Sequence, residues 1–69
     1  MRAIYREAGG KFIVDVLSDT TKDGVRAVHL RLVSVIRSAP GFKDPEEEWV
    51  SECHVGYELI VGWSLSVLQ

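Results

Sequence analysis

The chain has 69 residues, 26% of them charged, and carries a net charge of −2. That length allows one domain, residues 1–69, and excludes two. The lack of a basic excess argues against a protein that grips phosphate backbones by bulk charge, and no apolar run approaches the ~20 residues of a membrane-spanning helix.

The first apolar segment is Ala3-Ile4-Tyr5, and Gly9-Gly10 follows as a turn signal. Next comes Phe12-Ile13-Val14-Asp15-Val16-Leu17, rich in the β-branched and aromatic residues that suit a pleated surface. The two read as a hairpin. The second strand is expected to close in the turn-forming cluster Ser18 to Gly24, which ends in Asp-Gly.

Residues 25–38 fit two periods. As a helix, Val25, Val28, Leu32, Val35 and Ala39 share a face, with Pro40-Gly41 as the stop. As a strand, Val28, Leu30, Leu32, Ser34 and Ile36 line one face. Ala27, His29, Arg31, Val33, Val35 and Arg37 line the other. Five of these fourteen residues are Val or Ile, which lose rotamer freedom in a helix, so strand is preferred. The apolar phase changes after Leu32, as a β-bulge there would require.

Residues 38–48 hold Pro40-Gly41, Asp44-Pro45 and the acidic run Glu46-Glu47-Glu48, the signature of a polar loop. Phe42 is expected to tack that loop to the body. From Trp49 to Val67 the odd positions are apolar apart from Ser51. Period two means strand. A straight strand of nineteen residues would span about 63 Å, against a radius of gyration near 11 Å for a compact chain of this length. The segment must therefore turn back. A three-residue loop Val55-Gly56-Tyr57 keeps both arms in phase and sets Trp49 opposite Trp63 and Cys53 opposite Leu59. Trp49, Trp63, Leu65 and Val61 are the expected core of that hairpin.

The expected architecture is a five-stranded antiparallel barrel or coiled sheet, with strands near 2–7, 11–17, 25–37, 48–54 and 58–68. It matches SH3-like barrels in length and strand spacing. The alternative is α+β, with residues 25–38 as one helix on a four-stranded sheet.

Few residues offer chemistry. Cys53 and His54 are neighbours on a strand and point to opposite faces, so they cannot form a thiolate–imidazole pair. The expectation is a buried thiol beside an exposed histidine. Asp15 is flanked by apolar residues and is expected on the outward face of its hairpin. His29, Arg31 and Arg37 share a strand face and are the candidate binding residues, suited to an anion or an acidic partner. No catalytic set, phosphate-binding loop or zinc spacing is present, and no cofactor is expected.

Cys53 is the only cysteine, so the chain has no internal disulfide, and it fits a reducing, cytoplasmic setting. Arg2, Arg6 and Glu7 make the N-terminal stretch unlike a signal peptide. Domains this small are marginally stable and are often completed by a partner. These features lead to a non-catalytic binding module for a protein or peptide, self-associating as a homodimer. Val33 and Val35, or the uncharged edge Val67-Leu68-Gln69, would form the contact. The alternatives are a nucleic-acid-binding barrel using Arg2, Arg6, Arg26, Arg31 and Arg37, and, less favoured, a small enzyme.

Overall fold

Two tight turns organise the first three strands. In the computed structural model, which describes residues 1–68, β1 (Arg2–Glu7) and β2 (Gly10–Lys22) are joined by Ala8-Gly9, and β2 and β3 (Val25–Arg37) by Asp23-Gly24. All four turn residues have positive φ, between 50° and 87°. That is the geometry of a two-residue hairpin whose twist matches its strands, and Asp-Gly is its strongest signal. The second turn is confined to these two residues. Ser18 to Lys22 continue β2 instead of forming a loop, because each finds a partner on β3.

Residues 25–37 are strand, which excludes the helical alternative. β4 (Glu48–His54) pairs with β3, and β5 (Ser64–Val67) pairs with β1. All pairings are antiparallel, in the order β4-β3-β2-β1-β5. The domain is thus mostly β, as expected, and forms one strongly coiled sheet rather than a closed barrel. The irregular stretch 38–47 runs between β3 and β4.

Three bulges bend the long strands. Leu17 is the extra residue on β2, and Val33 and Ile36 are extra on β3. A bulge adds one unpaired residue and increases local twist. The Val33 bulge is the phase change visible after Leu32. It also corrects one expectation: Val35 pairs with Phe12, and opposed residues share a face, so Val35 belongs to the inner face rather than beside Val33. The Ile36 bulge reverses the phase again and returns Arg37 to the face of His29 and Arg31.

Coiling brings the two ends of the sheet over one another. The core holds Ala3, Tyr5, Phe12, Val14, Val28, Leu30, Cys53 and Trp63, with Val16, Leu32, Trp49 and Leu65 packed against it. Tyr5 sits at its centre. Its ring meets Trp49 and Trp63 edge-on, with centroids at 6.0 and 5.9 Å, and Phe12 at 6.4 Å. Trp49 and Trp63 therefore meet the same ring, from β4 and from the approach to β5, and do not face each other across a hairpin.

The expected β4–β5 hairpin does not form. Residues 58–61 make a single helical turn, α1 (Glu58–Val61), closed by Gly62 in the left-handed conformation. Gly62 is the usual residue there because a Cβ would be strained at that φ. The strand predicted over 58–68 is accordingly only Ser64–Val67. Cys53 does not oppose Leu59; it pairs with Arg26. Val61 is corrected from core to surface, being 46% exposed. Phe42 does not anchor the 38–47 loop either. Ala39, 9% exposed, takes that role, and a Cβ built on Gly10 would approach its methyl to 3.1 Å. Gln69, named in the C-terminal edge, lies outside the described residues.

Candidate binding surface

The outer face of the sheet carries the three predicted site residues, and each already has a partner within the chain. Arg31 lies 3.4 Å from Asp15, which also binds Arg2 at 3.0 Å. His29 Nε2 lies 2.7 Å from Glu48 Oε1. Arg37 stands apart, beyond both β3 bulges, and its Nε donates to the Gly9 carbonyl at 2.9 Å. The structure thus places His29 and Arg31 side by side, each facing a carboxylate. Arg37 belongs to a different row with Lys11 and Arg6, its cross-strand neighbours.

Asp15 faces outward, as expected. Hydrogen bonding from Arg2, reinforced by Arg31, holds its carboxyl below the usual range. Arg26 does the same to Asp19 through two contacts of 2.9 and 2.6 Å. The Leu17 bulge is what turns Asp19 onto the side of Arg26, whose guanidinium also lies 5.0 Å from the Trp63 ring centroid. A carboxylate with a lowered folded-state pKa stabilises the fold above its unfolded value, near 3.9, and ceases to as pH falls through the folded value. The expected result is a melting temperature that drops below about pH 4 in low salt. A combined Asp15→Asn and Asp19→Asn variant should melt lower at neutral pH and lose less on acidification. Parallel pH profiles for the two proteins would contradict this assignment.

Inside the coil lies a polar cluster that hydropathy does not reveal. The Tyr5 hydroxyl donates to the Glu7 carboxylate and is hydrogen-bonded to Ser51 Oγ. Trp63 Nε1 donates to the same Ser51 oxygen at 3.1 Å. Ser51 is 7% exposed and links strands β1 and β4 to Trp63. Its signal was the one polar break in the odd-numbered apolar series. Burial, then the neighbouring Glu7 carboxylate, raise the Tyr5 phenol well above its ordinary value, so it remains a donor at physiological pH. Cys53 is buried beside exposed His54, as expected, and burial pushes its thiol upward. A raised thiol is a poor nucleophile.

Beside the polar cluster, a cavity of about 190 Å³ opens under the 38–47 loop. Its floor is Tyr5, Phe12 and Ala39, all scarcely accessible, and Glu7, Ala8, Phe42, Lys43 and Pro45 complete the lining. That is smaller than the ~300 Å³ at which small-molecule sites begin. The Pro40-Gly41 turn, closed by Phe42 N–H donating to the Ala39 carbonyl at 3.2 Å, leaves the Phe42 side chain 67% exposed at the rim.

A run of exposed apolar residues surrounds α1. Leu59 is 98% exposed and Ile60 76%, with Val55, Tyr57 and Val61 exposed around them. None of the helix residues is buried. Period-two reading assigned Leu59 and Val61 to an inner face. The bracketing glycines, Gly56 and Gly62, were the available sign that the strand pattern is interrupted.

Among the described residues no helix is long and apolar enough to cross a membrane. The chain matches no family model, no curated protein and no solved structure.

Proposed function

We propose that this chain is a non-catalytic binding module of SH3-like size that recognises a protein or peptide partner and also self-associates. One observation carries the reading. Leu59 and Ile60 project from a turn in which no side chain is buried, with Val55, Tyr57 and Val61 around them. Contiguous exposed apolar patches rimmed by polar groups are characteristic of protein interaction sites. The aromatic core and the Tyr5–Ser51–Trp63 bonds stay inside, so the fold does not need this surface for its own packing. The single buried thiol supports a reducing, cytoplasmic setting.

A photo-crosslinking residue at position 59 tests this directly, with one at exposed Thr21 as control. The expected result is a discrete protein adduct from position 59 alone, and loss of binding to that purified partner in a Leu59→Asp variant. Equal labelling from both positions would overturn it.

A nucleic-acid reading keeps one supporting observation, the outer-face row Arg6–Lys11–Arg37. Arg2, Arg26 and Arg31, also candidates for that role, are paired with aspartates. Binding to mixed DNA and RNA that weakens steeply with salt would favour it. The absence of binding at low ionic strength would end it.

A further inference from the structure

We infer that the partner of the α1 surface is a second copy of this chain, joined about a two-fold axis, with Leu59 of each copy seated in the cavity beneath the other's 38–47 loop. This rests on the binding-module reading and specifies what that surface binds. The first argument is complementary shape. Leu59 is a fully presented aliphatic side chain, and the cavity of about 190 Å³ has room for one such group. Its rim is apolar at Ala8, Phe42 and Pro45.

The second argument is position. Gly62, which closes α1, packs against the β1–β2 turn: a Cβ built on it would lie 3.6 Å from the Ala8 nitrogen. Ala8 itself lines the cavity. The end of α1 and the recess therefore meet at the same turn. A two-fold interface requires one patch that carries both halves of its own complement, so that each contact is made twice. A projection and a recess on opposite sides of the molecule would instead propagate as an open chain.

The third argument is charge. Glu58 adjoins Leu59 on α1, and Lys43 lies on the cavity rim. Among the described residues Lys43 makes no ion pair, the Glu58 carboxylate accepts the Gly56 N–H at 2.8 Å, and the carboxylate of the lining, Glu7, is engaged by the Tyr5 and Ser51 hydroxyls. Seating Leu59 brings Glu58 and Lys43 together at the edge of the contact, where they favour this register over others. By contrast, β4 presents Glu48 and Glu52 along its free edge. Two copies paired there antiparallel about Val50 would set these like charges against each other, a known guard against edge association.

Sedimentation equilibrium over micromolar to submillimolar concentrations of the full chain tests the proposal. The wild type should reach twice 7.7 kDa. Leu59→Asp and Phe42→Asp should each weaken association by about thirtyfold or more, the effect of a central contact residue. Both positions are largely exposed, so neither substitution should alter the far-UV spectrum or the melting temperature of the monomer. Mixing the two variants should restore partial association, because one intact projection then meets one intact recess. Glu58→Lys should weaken the dimer, and the pairing of Glu58→Lys with Lys43→Glu in one chain should recover it.

A monomer throughout, species larger than two, or a dimer insensitive to Leu59→Asp would each overturn the proposal. So would a mixture no better associated than its components. A wild-type monomer that still crosslinks through position 59 to another protein would overturn the second copy as partner and leave the binding-module reading standing.

Discussion

Trp63→Ala is expected to cost about 3–5 kcal/mol, the usual range for deleting a buried large aromatic. A chain of 69 residues has on the order of 3–10 kcal/mol in total, so the loss is a large share of the whole stability. Trp63 is 4% exposed and meets the Tyr5 edge, the Ser51 hydroxyl and the Arg26 guanidinium together. The substitution removes all three contacts and leaves a cavity the size of an indole. Trp49 touches the same Tyr5 ring but is only half-buried, so Trp49→Ala should cost less, about 2 kcal/mol. Urea denaturation measures both, and the tryptophan that remains in each variant serves as the fluorescent reporter. Equal losses would show that burial of Trp63 is not what distinguishes the two positions. A negligible loss at Trp63 would remove it from the core.

Ser51→Ala should be more damaging than the loss of one hydroxyl suggests. The Ser51 oxygen accepts from Trp63 Nε1 and is bonded to the Tyr5 hydroxyl, and both rings are buried. An alanine there leaves the indole N–H without a partner in a site closed to water. A buried orphan of this kind costs about 1–3 kcal/mol, against roughly 1 kcal/mol for an ordinary hydrogen bond. Tyr5→Phe removes the group on the other side of the same contact, together with its bond to the Glu7 carboxylate, and should cost about 1.5–3 kcal/mol. In the double variant the two losses should sum to more than the measured effect, since the Tyr5–Ser51 contact can be lost only once. Strict additivity in a urea-denaturation cycle would mean that the two hydroxyls do not interact.

Both results concern features of very different visibility in the sequence. The first four strands are legible because their signals are local. Asp23-Gly24 and Gly9 accept the positive φ of tight turns, and Val and Ile favour the pleated surface over 25–37. Even the Val33 bulge leaves a trace, as the change of apolar phase after Leu32. The same alternation misleads after His54. Leu59 and Val61 keep the odd-numbered rhythm, yet the segment curls into one helical turn and presents them to solvent. Alternation records which residues are apolar; it does not record whether the backbone stays extended between them.

The candidate surface was less legible than the fold. His29, Arg31 and Arg37 do share the outer face, but their partners come from elsewhere in the chain: Asp15, Glu48 and the Gly9 carbonyl. Nothing local marks His29 as the partner of Glu48. Ser51 shows the reverse case, a polar residue whose place in the apolar series looked like an interruption and is instead the meeting point of two rings.

By itself the sequence determined the class of fold, the presence of the first four strands and the neighbourhood of the two leading turns, though not the extension of β2 to Lys22, because φ preferences and side-chain alternation act over a few residues. Only the tertiary structure decided that β5 pairs with β1 instead of β4, that Tyr5 joins both tryptophans, and that Leu59 stands exposed on α1. Those outcomes depend on how far three bulges coil the sheet, and coiling accumulates over every strand before its two ends can meet.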